Sequence, residues 1–214
     1  MAGSGARDEP DRPELMEVVD RLLAVLARVD VPYVFIGGIA SMLLGRRRWI
    51  RDVDVLVRIE DARRVLEALA ADGFEIEETH PHWLYKAALA RVTVDVIFRS
   101  TRDVMLDDEM LDRTVWRELD GRRIPLAPPE DVIVMKAIAT DEDTARYWYD
   151  ALAIIGHSEL DWDYLLDRAH QHGARRVLSL LLYAQSNDLL VPNRVIEVLI
   201  RRILWGGGVR WGEG

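Results

Sequence analysis

The chain has 214 residues, 50% of them hydrophobic and 30% charged, with a formal net charge of −9 and no cysteine. That balance fits a globular chain of one or two domains with a sizeable core. It excludes disulfides, thiolate metal sites and a cysteine nucleophile, and it argues against a general nucleic-acid coat. The start, residues 1–12, is small, charged and proline-containing; it reads as a disordered tail and lacks the apolar segment of a secretory signal. No run approaches the roughly 18 apolar residues of a membrane span. The expectation is a cytoplasmic protein with no membrane partner.

From Pro13 to Val29, the residues Leu15, Val18, Val19, Leu22, Leu23, Leu26 and Val29 recur at helical spacing. Pro13 suits the first turn of a helix, and Asp30-Val31-Pro32 ends it. Tyr33 to Ile36 is a short apolar run that predicts a buried strand. Gly37-Gly38 breaks it, a short helix is expected over 39–44, and Gly45 and the arginines Arg46, Arg47, Arg48 and Arg51 follow. Asp52 to Val57, reading DVDVLV, predicts a second strand with Asp52 and Asp54 on one face and Val53 and Val55 on the other. Two carboxylates side by side repel each other, and their burial is costly unless a cation lies between them.

The spacing predicts a helix over 61–71, with Ala62, Val65, Leu66 and Leu69 inward and Gly73 stopping it. Strands are expected over 74–77, 83–89 and 91–98. On the last of these, Val92, Val94, Val96 and Phe98 share one face, and Asp95 lies on the other with Thr93 and Ile97. His80 and His82 have a metal-like spacing but no third ligand nearby, so a loop is the better reading. A short helix near 107–111 and a hairpin at Asp120-Gly121 come next. Pro125 to Pro129 reads as the joint between halves. Beyond it, helices are expected over 129–140, 144–156, 162–171, 174–186 and 193–205, then a flexible tail over 206–214. The fold class is α+β: residues 13–127 form a mixed sheet flanked by helices, and 128–205 form a C-terminal helical bundle.

Asp52, Asp54 and Asp95 are the candidate catalytic and metal-binding residues. Three oxygen ligands on adjacent strands suit Mg²⁺, and two such ions would clamp the attacking and leaving oxygens of a phosphoryl displacement. Gly37 and Gly38 stand where a strand meets a helix N-terminus, a place where backbone N–H groups approach phosphate closely. The arginines that follow could offset remaining negative charge. The basic residues are nearly all arginine; Lys86 and Lys136 are the two lysines.

The apolar residue, Gly37, Gly38, thirteen residues, Asp52-Val53-Asp54-Val55 and a later strand Asp95 resemble the polymerase-beta-type nucleotidyltransferase superfamily. The likeness covers roughly residues 15–155. The segment GGIASMLLGRRRWIRDVDVLV is most similar to the small bacterial minimal nucleotidyltransferases and the abortive-infection type IV toxins. The segment 128–136, PPEDVIVMK, resembles their post-core helix with its lysine. The resemblance implies a Mg²⁺-dependent transfer of an NMP from an NTP to a hydroxyl acceptor, with ATP binding among the expected properties and the base of the donor left open, and a role in a toxin–antitoxin system. Asp52 and Asp54 would bind two metal ions, and Asp95 would bind one of them and help deprotonate the acceptor. Gly37, Gly38, Ser41, Arg48, Arg51 and Lys136 would hold the nucleotide. The acceptor stays open among tRNA, a protein hydroxyl and a small molecule such as an aminoglycoside, and the implied protein partner is an antitoxin. A catalytically inactive nucleotide-binding or interaction module is the alternative. The chain departs from its relatives in three places: Ile50 stands where a threonine is usual, Gly38 where a serine is, and Tyr149-Asp150 where a Lys-Asp pair is.

Overall fold

The first helix, α1 (Arg12–Val29), shows how the amphipathic pattern is converted into structure. Asp11 caps it by accepting the N–H of Glu14 at 2.9 Å. Its apolar stripe, including Val18, Val19, Leu22, Val25 and Leu26, is fully buried, each such side chain contributing about 1.5–3 kcal/mol. The protein is described here from a computed structural model covering residues 11–141 and 144–205. Residues 1–10 and 206–214, which the sequence assigns to tails, lie outside the described residues.

Two compact units emerge from the chain. Of the described residues, the first comprises those up to Ala40, Arg48–Ser100 and Met105–Leu126; the second comprises Ser41–Arg47, Thr101–Val104 and those from Ala127 to Trp205. In the first unit the strands are β1 (Tyr33–Phe35), β2 (Asp52–Val57), β3 (Glu75–His80), β4 (Leu84–Leu89), β5 (Val92–Ile97), β6 (Val115–Leu119) and β7 (Arg122–Leu126). They form one mixed sheet in the order β3-β4-β5-β2-β1-β7-β6. The β2–β5 pair is parallel, and β2 runs antiparallel to β1. Helix α2 (Gly37–Leu44) follows β1 and passes from the first unit into the second at Ser41. Helix α3 (Ile59–Ala71) packs against α1 and against β3, β4 and β5. The short helix α4 (Asp108–Asp112) is capped by Asp107, which accepts the N–H of Met110.

Alternation along the central strands separates the two sheet faces. Val53, Val55, Val92, Val94 and Val96 are buried, while Asp52, Asp54, Thr93 and Asp95 are half-buried on the opposite face. The turn at Asp120-Gly121 has φ values of 48° and 80°, so both residues adopt the left-handed region that a two-residue hairpin requires. Pro125, expected in the joint between halves, lies instead inside β7 opposite Trp116. β1 pairs with β7 only at Leu126, so a proline at position 125 costs that ladder little.

The second unit is helical. Its centre is α5 (Pro129–Ala139), buried on all sides from Pro129 through Ile138. Around it pack α6 (Arg146–His157), α7 (Trp162–His172) and α8 (Ala174–Ser186), with α9 (Asn193–Trp205) against α7 and α8. The end of α2 comes close to α6. A Cβ on Gly45 would lie 2.6 Å from the Ile154 nitrogen and 2.7 Å from the Ala153 carbonyl carbon, and Ser158 Oγ donates to the Leu44 carbonyl at 3.1 Å. Among the described residues no helix is long and apolar enough to cross a membrane.

Candidate active site

The parallel pairing of β2 with β5 brings the acidic residues to adjacent positions. Asp54 stands directly opposite Asp95, and Asp52 opposite Thr93. On the other side of β5, Asp95 faces Lys86 of β4, which in turn faces Glu77 of β3. One polar row, Glu77–Lys86–Asp95–Asp54, therefore crosses four strands. A parallel row, Glu75–Ala88–Thr93–Asp52, runs beside it.

Asp54 organises the glycine turn. The Ile36 N–H donates to its backbone carbonyl at 3.0 Å, and the Gly38 N–H donates to its Oδ2 at 3.3 Å. The carboxylate thus sits at the N-terminus of α2, where the helix dipole favours negative charge. Gly37 has φ +56°, and a Cβ there would lie 1.8 Å from Asp54 Oδ2. Glycine is required on both counts. Gly37→Ala is expected to displace Asp54 and lower transfer by about 100-fold or more while also reducing thermal stability. A variant with wild-type kinetics would show that the carboxylate position is unimportant.

Asp95 is held differently. Lys86 Nζ donates to Oδ1 at 3.0 Å and to Oδ2 at 3.3 Å. Burial pushes the Asp95 carboxyl above the usual carboxylate range, with Lys86 opposing that shift and Asp52 and Glu77 adding to it. Lys86 drew notice in the sequence only as one of two lysines. The signal for its place was the alternation of β4 beside β5, but the register that pairs it with Asp95 is not written in either strand.

The remaining candidates fall in two groups. Arg48 approaches Gly38, its Nη2 lying 3.2 Å from where a Cβ on that glycine would be; Arg51 is exposed at the start of β2. Ile50 is buried, its Cγ2 lying 3.6 Å from where a Cβ on Gly38 would be. Ser41 and Lys136 belong to the helical unit, and both are buried. The Lys136 ammonium lies 3.5 Å from Asp150 Oδ2 and 4.2 Å from the centre of the Tyr147 ring. The side chain is therefore not solvent-facing. His80 stacks on Trp83 at 5.5 Å.

The donor set suits a hard divalent cation: Asp52, Asp54 and Asp95 present carboxylates on one face at neighbouring positions. A cation, the Lys86 ammonium, already occupies the Asp95 carboxylate. In this arrangement, though, no group of three or more His, Cys, Asp or Glu among the described residues is gathered closely enough to hold a metal ion. Asp54 is turned to Gly38, and Asp95 to Lys86.

Comparison with known proteins identifies the family. The family described as "Uncharacterised nucleotidyltransferase" matches residues 13–186. No curated protein matches the chain by sequence. An antigenic nucleotidyltransferase-like protein from Paracoccidioides brasiliensis has a similar structure, with a TM-score of 0.54 and 16% identity over 92% of this chain and 98% of that one. The antibiotic-resistance factor ANT(2″)-Ia in its solution structure gives a TM-score of 0.51 and 14% identity over 83% of this chain and 95% of that one. At such identities the two structures speak to fold alone. The family match spans most of the chain, and it coincides with the Gly-Gly turn seated on a strand aspartate; the chain belongs to the nucleotidyltransferases of the polymerase-beta type and is a nucleotidyl-group transferase.

Proposed function

We propose that the chain transfers an NMP from an NTP to a hydroxyl acceptor in a Mg²⁺-dependent reaction drawing on the cytoplasmic nucleotide pool. The observation that carries this reading is the row in which Asp54 and Asp95 face each other across parallel strands, with the Gly37-Gly38 turn seated on Asp54. Asp52, Asp54 and Asp95 would hold Mg²⁺, two ions in the full site. Mg²⁺ held there would supply neutralisation of the charge that develops on the transferred phosphoryl group and the leaving oxygen.

The protein's own part is positioning and proton handling. The acceptor oxygen bonds to the α-phosphorus as the bond from that phosphorus to the bridging oxygen breaks, and pyrophosphate leaves. Asp95, opposite Asp54 on the adjacent strand, would accept the acceptor's proton. The N–H groups at the start of α2 would face the triphosphate, with Arg48 and Arg51 offsetting its charge.

The acceptor classes are tRNA, a protein hydroxyl or a small molecule such as an aminoglycoside; a tRNA or protein acceptor would fit a toxin held in check by an antitoxin. The test is incubation with Mg²⁺ and each α-labelled NTP in the presence of total RNA, cell protein or an aminoglycoside. Label is expected on one acceptor class, with pyrophosphate released and EDTA abolishing both. Nucleotide binding without label transfer to any class would favour an inactive binding module.

A further inference from the structure

The Asp95 carboxylate stands between two competing neighbours. On the β4 side it meets the Lys86 ammonium through both oxygens, at 3.0 and 3.3 Å. On the β2 side it meets Asp54 at the directly opposed position. The side chains of the Lys86–Asp95 pair are 32% and 15% exposed, so this is a charge-assisted contact in a partly dried site and not a freely solvated pair. Both Asp95 oxygens meet Lys86, and among the described residues Asp52, Asp54 and Asp95 are not gathered into a metal-holding group. Away from Asp54, a cavity of about 480 Å³ is lined by Glu75, Glu77, His80, Lys86, Ala88 and Thr93. Its two glutamates offer the ammonium alternative partners, so releasing Asp95 does not strand a charge.

We infer that Lys86 is a positioning residue that holds Asp95 out of the metal-binding arrangement until a divalent cation takes the carboxylate, whereupon the ammonium moves into the cavity beside Glu75 and Glu77. The inference rests on the reading of Asp95 as a metal ligand. The exchange replaces one cation by another at a single carboxylate. Because the metal-free protein must first give up the Lys86 contacts, its apparent metal affinity is reduced by the fraction of molecules in which Asp95 is held. The freed ammonium then stands on the side of Asp95 remote from the Gly37-Gly38 turn.

The test is a titration of the full, metal-free chain with Mn²⁺, read by the electron paramagnetic resonance signal of the free ion and needing no turnover. Lys86→Met is expected to bind Mn²⁺ roughly fivefold more tightly than wild type, the size of effect that loss of one competing charge-assisted contact produces. Lys86→Arg, which can keep the contact, should stay near wild type. Asp95→Asn should weaken binding, and adding Lys86→Met to Asp95→Asn should change nothing further, since Lys86 acts through Asp95. Unchanged or weaker affinity in Lys86→Met overturns the inference. So does equal tightening in the Asp95→Asn background, which would mark a general charge effect. Failure of wild type and Lys86→Met alike to bind Mn²⁺ overturns it as well. If Asp95→Asn binds as tightly as wild type, the reading of Asp95 as a ligand fails instead, and the two failures are told apart. Circular dichroism melts confirm that each variant is folded.

Discussion

Asp95→Asn is expected to abolish nucleotidyl transfer, with a loss on the order of a thousandfold or more, while the protein stays folded. The magnitude follows from the part proposed for Asp95, a ligand and proton acceptor at the point where charge develops, a contribution of several kcal/mol to the barrier. The stability side follows from the direction of the Asp95 shift. Burial raises its pKa in the folded state, so folding favours the protonated form. The stability linked to this group is present at low pH and is lost as pH rises through the folded pKa. At neutral pH the wild-type protein therefore carries the cost of an ionised, partly buried carboxylate, which an asparagine of the same shape does not. Lys86 loses its partner, but it borders the open cavity and the glutamates there. A melting temperature equal to or above that of wild type, together with lost transfer, is the expected pair of results. Retained Mg²⁺-dependent transfer would remove Asp95 from the site, and an unfolded variant would show that its role is structural.

How much of this was legible in the sequence depends on how local each cause is. Helix α1 and strand β2 follow from patterns complete within themselves: an apolar stripe at helical spacing, and the alternation DVDVLV. Asp120-Gly121 names its own turn. The turn between β4 and β5 does not. Ala90 takes φ 54° with no glycine to announce it, and the adjoining Arg91 N–H is fixed by Glu14, 77 positions away. The acidic residues could be singled out because carboxylates are out of place on apolar strands. That Asp54 would seat the glycine turn and that Asp95 would turn to Lys86 are matters of strand order and register, which depend on the whole sheet. The helical half gave element boundaries but not its centre. Asp131 and Arg168 look like ordinary surface charges on helices, because nothing near either residue tells that α5 and α7 bury both.

That buried pair carries the largest expected effect on stability. Arg168 Nε donates to Asp131 Oδ1 at 2.6 Å, and the Tyr164 hydroxyl donates to Asp131 Oδ2 at 2.5 Å. Arg168 and Asp131 are 2% and 1% exposed. Arg168→Met would leave the Asp131 charge in the core with its principal counter-ion gone. Breaking a buried pair from one side costs about 3–5 kcal/mol, whereas replacing both partners by apolar groups of similar volume is often close to neutral. The single variant is therefore expected to lower the melting temperature by roughly 10 °C or more, with hydrogen exchange accelerating first in α5 and α7. The double variant Asp131→Leu/Arg168→Met should recover most of that loss, although the Tyr164 hydroxyl then lacks its acceptor and retains a cost of about 1–3 kcal/mol. Recovery in the double variant is the decisive comparison: it would mean that the pair fixes which faces of α5 and α7 meet without itself supplying the net stability of the helical unit. If both variants melt like wild type, the unit owes its cohesion to the apolar residues around the pair, such as Val132, Ile133 and Leu165. If the double variant falls as far as the single, the hydrogen-bonded network is itself a net stabiliser, and α5 depends on it.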